Sequence, residues 1–157
     1  MWKKIKPYII SCALALGVGV LSALLTMGNM NLYDEINKPV PEVPGIVFPI
    51  VWTILYLLMG ISAAIIFTNR YKNRIDADNG LLVYGFSLIL NFFWSIIFFN
   101  MRAFLFAFIW LIILWGSILT TILLYKKVNK LAAYLQIPYL IWVTFAGYLN
   151  FSIYLLN

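Results

Sequence analysis

LAAYLQIPYLIWVTFAGYLNFSIYLL, the stretch from Leu131 to Leu156, runs for 26 residues without one Asp, Glu, Lys or Arg. A helix rises about 1.5 Å per residue, so roughly 20 apolar residues cross about 30 Å of hydrocarbon. This stretch is long enough to span. It lacks the polar/apolar alternation of a barrel strand, and backbone in lipid must satisfy its own hydrogen bonds, which leaves the α-helix. Toward the N-terminus four more stretches meet the same test: Tyr8–Met27, Ile46–Phe67, Gly80–Phe99 and Ala103–Leu124, all free of charged residues. The expected fold is an all-α integral membrane protein, a bundle of five transmembrane helices making one domain over residues 1–157.

Composition agrees with that expectation. Of the 157 residues 64% are hydrophobic and 10% charged, too little polar surface for a water-soluble globule. A net charge of +6 would suit nucleic acid, but the charges sit in short clusters between apolar runs and not along a solvated face. With no histidine and one cysteine, Cys12, disulfide frameworks, CxxC pairs, zinc clusters and histidine-ligated haem are all excluded. No cofactor and no metal is expected. Lys3, Lys4 and Lys6 ahead of an apolar core also fit a cleaved signal peptide. However, the core is longer than a typical h-region and no A-x-A-like pair precedes a cut, so a retained helix is expected.

Cytoplasmic loops collect Lys and Arg. With five spans, one side of the membrane holds Lys3, Lys4, Lys6, Arg70, Lys72, Arg74, Lys126, Lys127 and Lys130, nine of the 11 basic residues, against Lys38 and Arg102 on the other. The expected orientation in the plasma membrane places the N-terminus in the cytoplasm, with the C-terminus and the first loop, Gly28–Gly45, outside. That loop carries Asp34, Glu35, Lys38 and Glu42 among Pro39, Pro41 and Pro44, a proline density that denies a regular helix. It is either a solvated tether or a semi-rigid lid that loses little entropy on closing over a site.

Three helix faces stand out. The second helix repeats Phe48, Trp52, Tyr56 and Gly60 at spacing four, the third presents Asn91, Trp94, Ser95 and Phe98, and the fifth presents Trp142, Ala146 and Asn150 with Tyr139 a turn earlier. Any one stripe is explained by interfacial anchoring or bundle packing. Together, aromatic walls around two intramembrane amides describe a pocket for a flat apolar molecule, with Asn91 and Asn150 pointing into the bundle. The first helix carries Ser11, Ala15, Gly19 and Ala23, a small-residue stripe that fits a close neighbour in the same chain or in a second subunit. No carboxylate, histidine or basic residue lies within a span, which disfavours ion-driven transport and conventional hydrolysis.

These motifs resemble the tryptophan-rich sensory protein or translocator protein family, also called peripheral-type benzodiazepine receptors. The likeness is carried by Lys38-Pro39 with Pro44, Phe48 and Val51-Trp52-Thr53-Ile54-Leu55-Tyr56, by Asn91-Phe92-Phe93-Trp94-Ser95 with Phe98-Phe99, and by Pro138-Tyr139-Leu140-Ile141-Trp142-Val143-Thr144-Phe145-Ala146 followed by Leu149-Asn150. The resemblance implies a five-helix bundle, commonly a homodimer, that binds porphyrins or other hydrophobic small molecules. It further implies a ligand site of Trp52, Tyr56, Asn91, Trp94, Trp142 and Ala146, with Phe48, Asn150 and the first loop nearby. Where the family often has a Trp between its loop prolines and another before the second helix, this chain has Pro41 with Val43-Pro44, and Ile46. The basic residue that animal members carry beyond the fifth helix is missing, which points to a bacterial member. Leu123, Tyr125 and Lys127 meet the loose cholesterol consensus elsewhere.

Three functions compete. The first is a membrane receptor or sensor that binds a porphyrin or similar flat ligand. The second is an enzyme in which Trp52 and Trp142, the catalytic candidates, assist light- and oxygen-dependent breakdown of protoporphyrin. The third is a porphyrin or sterol transporter, which the lack of an inverted repeat or discontinuous helix disfavours. No nucleic acid partner is expected.

Overall fold

The computed structural model describes residues 1–157. Its helices are α1 (Trp2–Thr26), the single-turn α2 (Leu32–Glu35), α3 (Val47–Asn69), α4 (Arg74–Ser95), α5 (Phe104–Val128) and α6 (Lys130–Leu156), and there is no strand. A 3₁₀ turn, Met27–Asn29, continues α1, and a wider turn, Ile96–Asn100, continues α4. All except α2 are long and apolar enough to cross a membrane. The protein is a bundle of five transmembrane helices.

Several helices outrun their apolar stretches, because charge ends a span without ending a helix. α1 starts at Trp2, ahead of Tyr8, through three lysines that are good helix formers, and tolerates Pro7 within it. α4 starts at Arg74, ahead of Gly80, where the Asn73 side chain caps it by accepting from the Asp76 amide at 3.2 Å and donating to the Asp76 carboxylate at 2.7 Å. Lys126, Lys127 and Lys130 lie within α5 and α6, so the expected fourth loop shrinks to Asn129 alone. Asn129 ends α5 and caps α6, its side-chain oxygen accepting from the Ala132 amide at 3.2 Å. Pro49 falls in the first turn of α3, where a missing N–H costs nothing.

Round the bundle the order is α1, α3, α6, α5, α4 and back to α1, with the α1–α4 seam the sparsest. α3 and α4, adjacent in sequence, touch little. The small-residue stripe of α1 is met by α3 of the same chain. At Gly60 a Cβ would stand 2.6 Å from the Cys12 Cα, so only glycine lets the two backbones meet there. Lipid offers no hydrophobic drive for helix association, so such close packing and buried hydrogen bonds hold the bundle. The Ser62 hydroxyl donates to the Ala132 carbonyl at 2.7 Å and accepts from Gln136 Nε2 at 3.3 Å, pinning α3 to α6.

The first loop is partly helical and tied down. Prolines bar a helix only from Pro39 onward, and ahead of them α2 forms. Asn37 and Asn157 exchange hydrogen bonds: the Asn37 amide donates to the Asn157 side-chain oxygen at 3.0 Å, and Asn157 Nδ2 donates to the Asn37 carbonyl at 2.9 Å. On the other flank Asn29 Nδ2 donates to Asn100 Oδ1 at 2.9 Å, and Asn100 Nδ2 donates to the Leu25 carbonyl at 3.1 Å. Glu35 pairs with Arg102 at 3.6 Å.

Candidate functional site

At the loop end of the bundle lies a cavity of about 420 Å³, within the range of small-molecule sites. All eight candidate residues border it: Phe48, Trp52 and Tyr56 from α3, Asn91 and Trp94 from α4, and Trp142, Ala146 and Asn150 from α6. Their spacing of three or four along each helix turns the side chains to one side. The ring order explains how α3, α4 and α6 reach one space.

The walls are interlocked aromatic rings. Phe48 meets Trp142 edge-on at 5.9 Å, Trp52 lies 5.6 Å from Tyr56, and Trp94 stacks on Phe98 at 5.4 Å. Behind the wall, the fully buried Tyr139 packs edge-on to Trp52 at 6.0 Å, so Tyr139 supports the site without lining it. Offset and edge-on pairs of this kind fix ring positions beyond what buried area alone does.

Asn91 and Asn150 are both buried, and both are already engaged within the protein. Asn91 Nδ2 donates to the Tyr56 hydroxyl at 2.9 Å. The Tyr56 hydroxyl accepts in that bond and donates to no other protein group. Asn150 accepts from the Trp94 indole at 3.2 Å and donates to the Phe104 carbonyl of α5 at 2.8 Å. Its amide orients a wall and ties α6 to α4 and α5 while it borders the cavity. The Trp142 indole nitrogen is buried with no partner, a donor left without an acceptor.

Other lining residues went unread in the sequence. α1 contributes Gly19, Ser22, Ala23 and Thr26, and the loop contributes Met30, Tyr33, Asp34 and Gly45. Gly19 carries the clearest role: a Cβ there would overlap the Tyr56 ring, so the missing side chain is what seats Tyr56. Its place in the small-residue stripe was the available signal. The first loop was expected near the site, but nothing local distinguishes Tyr33 or Asp34 from its other residues, because only the folded loop brings these two over the bundle. Tyr33 is buried, packs edge-on to Phe48 at 5.1 Å and donates from its hydroxyl to the Val43 carbonyl at 3.0 Å. Burial first, then the Glu42 and Asp34 carboxylates, pushes the Tyr33 phenol up from its ordinary range. Lys38 stands over the Tyr33 ring at 4.8 Å and pairs with Glu42 at 3.8 Å.

Comparisons with known proteins show the family. The profile of the TspO/MBR family matches residues 11–156. The tryptophan-rich protein TspO of Chlorobaculum tepidum is 36% identical over 159 residues, covering 100% of this chain and 99% of that one. Protein CrtK of Rhodobacter capsulatus is 36% identical over 150 residues, 96% of this chain and 90% of its own. The translocator protein of Bos taurus is 31% identical over 137 residues, 87% of this chain and 81% of its own. With five spanning helices, a tryptophan-walled cavity and a profile match over nearly its whole length, the chain belongs to the TspO/MBR family.

Proposed function

We propose that this protein is a membrane receptor that binds a porphyrin or another flat hydrophobic molecule in the cavity beneath the first loop. The single observation that carries the proposal is the convergence of aromatic side chains from three helices on one space of about 420 Å³ whose polar groups are few. Relatives named as a tryptophan-rich sensory protein and a translocator protein support a role in sensing or translocation. The loop, tied at Asn37 and at Asn29, is suited to close over the bound molecule. The same reading takes the loop end as extracytoplasmic, the lysine-rich end as cytoplasmic and the membrane as the cell membrane, with two copies pairing through lipid-facing helices.

Quenching of tryptophan fluorescence by protoporphyrin, in the dark with purified protein in neutral detergent, tests the binding. Saturable quenching that weakens in Trp52→Ala and Trp142→Ala supports it; identical curves for wild type and both variants overturn it. Orientation is read from thiol labelling of Arg74→Cys and Glu35→Cys in a Cys12→Ser background on intact cells, with Glu35→Cys the site expected to react. Chemical cross-linking in the membrane reads the pairing of copies.

The alternative function, photo-oxidative breakdown of the porphyrin, draws on one observation. Trp52 packs against both Tyr56 and Tyr139, three oxidisable rings in succession.

A further inference from the structure

The polar rim of the cavity has a sign. Asp34 is the one charged residue among those that line it, and its carboxylate takes part in no salt bridge. The two cations at this end of the bundle are both committed: Lys38 to Glu42 at 3.8 Å and to the Tyr33 ring, Arg102 to Glu35 at 3.6 Å. Three carboxylates, Asp34, Glu35 and Glu42, therefore face two basic residues, and the remaining lysines and arginines sit at the opposite end of the helices. That distance exceeds a Debye length, about 8 Å at physiological ionic strength, so they do not offset the rim. The raised Tyr33 phenol, set partly by Glu42 and Asp34, registers the same negative field. Below the rim the walls are Trp52, Trp94, Trp142, Tyr56 and Phe48, rings whose faces attract cations.

We propose that Asp34 sets the charge preference of this cavity, favouring flat apolar ligands whose polar edge is neutral or cationic over those whose edge is anionic. The proposal rests on the cavity being a ligand site and adds the chemical class it takes. An anionic edge must stay in water beyond Asp34 or displace Glu42 from Lys38. A cationic edge meets the Asp34 carboxylate directly while its apolar body lies among the rings.

A matched porphyrin series tests it: protoporphyrin with its two carboxylates, the dimethyl ester, and a bis-amide bearing two dimethylaminoethyl groups. Each is titrated against the purified protein in neutral detergent, at low and high salt, with partition into protein-free micelles subtracted. The expected order of affinity is bis-amide, ester, acid. The extremes should differ by about tenfold at low salt and less at high salt, since the rim is exposed. In Asp34→Asn the difference should fall to within about twofold. Preference for the acid in wild type, above all if Lys38→Gln abolishes it, overturns the proposal, as does an unchanged spread in Asp34→Asn. An ester that fails to bind at all removes the cavity as a porphyrin site, and this proposal with it; an ester that binds while the charged pair is reversed removes this proposal alone.

Discussion

The Trp94 indole donates to the Asn150 side-chain oxygen at 3.2 Å, across α4 and α6, while the other end of the same amide holds the Phe104 carbonyl of α5. One buried side chain thereby sets the orientation of a cavity wall and joins three helices. Asn150→Ala should cost about 1–3 kcal/mol, because an indole donor and a backbone acceptor both lose their partner. Porphyrin affinity should fall with it as Trp94 loosens. Thermal unfolding in detergent, read beside fluorescence quenching, checks both; an unchanged melting temperature would show that the amide is not structural.

Two glycines on α1 make a matched pair. A Cβ on Gly19 overlaps the Tyr56 ring, whereas one on Gly17 meets no atom within 4 Å. Gly19→Ala should displace Tyr56 and weaken binding several-fold, at a cost of about 1–3 kcal/mol for the overpacking. Gly17→Ala should leave binding alone and hold or raise the melting temperature, since alanine is the better helix residue. Equal binding constants for the two variants would mean that Tyr56 is not fixed by Gly19.

How much of this was legible in the sequence follows from what is local. The five spans were readable because length and charge decide a span residue by residue, and the three aromatic faces because helical spacing is fixed. Some ends were not: α1 and α4 begin well ahead of Tyr8 and Gly80, α4 because the Asn73 side chain caps it, and capping is a matter of one side chain and one amide, whereas α3, α5 and α6 begin within a residue of their apolar stretches. The partners of Asn91 and Asn150 were hidden too. Depth in the span said that both amides face inward, but not that Tyr56 and Trp94 take up their hydrogen bonds. Gln136, a third intramembrane amide, bonds Ser62 and drew no notice because it belongs to no aromatic stripe. Asp34 and Asn37 gain their roles only from a loop path set by contacts 70 to 120 residues apart.

The Asn37–Asn157 exchange holds one flank of the loop against the end of α6. If the loop closes over the ligand, Asn157→Ala, which removes the side-chain partner of both Asn37 backbone groups, should raise the dissociation rate by about three- to tenfold and alter the association rate less, because it loosens the closed state. Stopped-flow displacement of bound porphyrin measures both. An unchanged off-rate would make the loop a tether.

Binding and catalysis separate at Trp52 and Trp142. As walls alone, Trp→Phe at either position keeps an aromatic surface and should cost about 1 kcal/mol of affinity. Light-driven porphyrin loss at saturating ligand should then match the wild type. If the indoles carry electrons, the double variant Trp52→Phe/Trp142→Phe should lose most of the saturated rate, and Trp→Tyr should restore part of it. Equal rates with both proteins saturated would end the enzymatic alternative.

Asn129 is the only residue between α5 and α6, and it caps one helix while it ends the other. A joint this short leaves no slack for sliding, so the two helices move as a single hairpin. Room for a bulkier guest is least opposed on the other side of the ring, where α1 meets α4 most thinly. The α1–α4 seam, with the least packing to break, is therefore where the ring is expected to widen, against the α5–α6 hairpin as its frame.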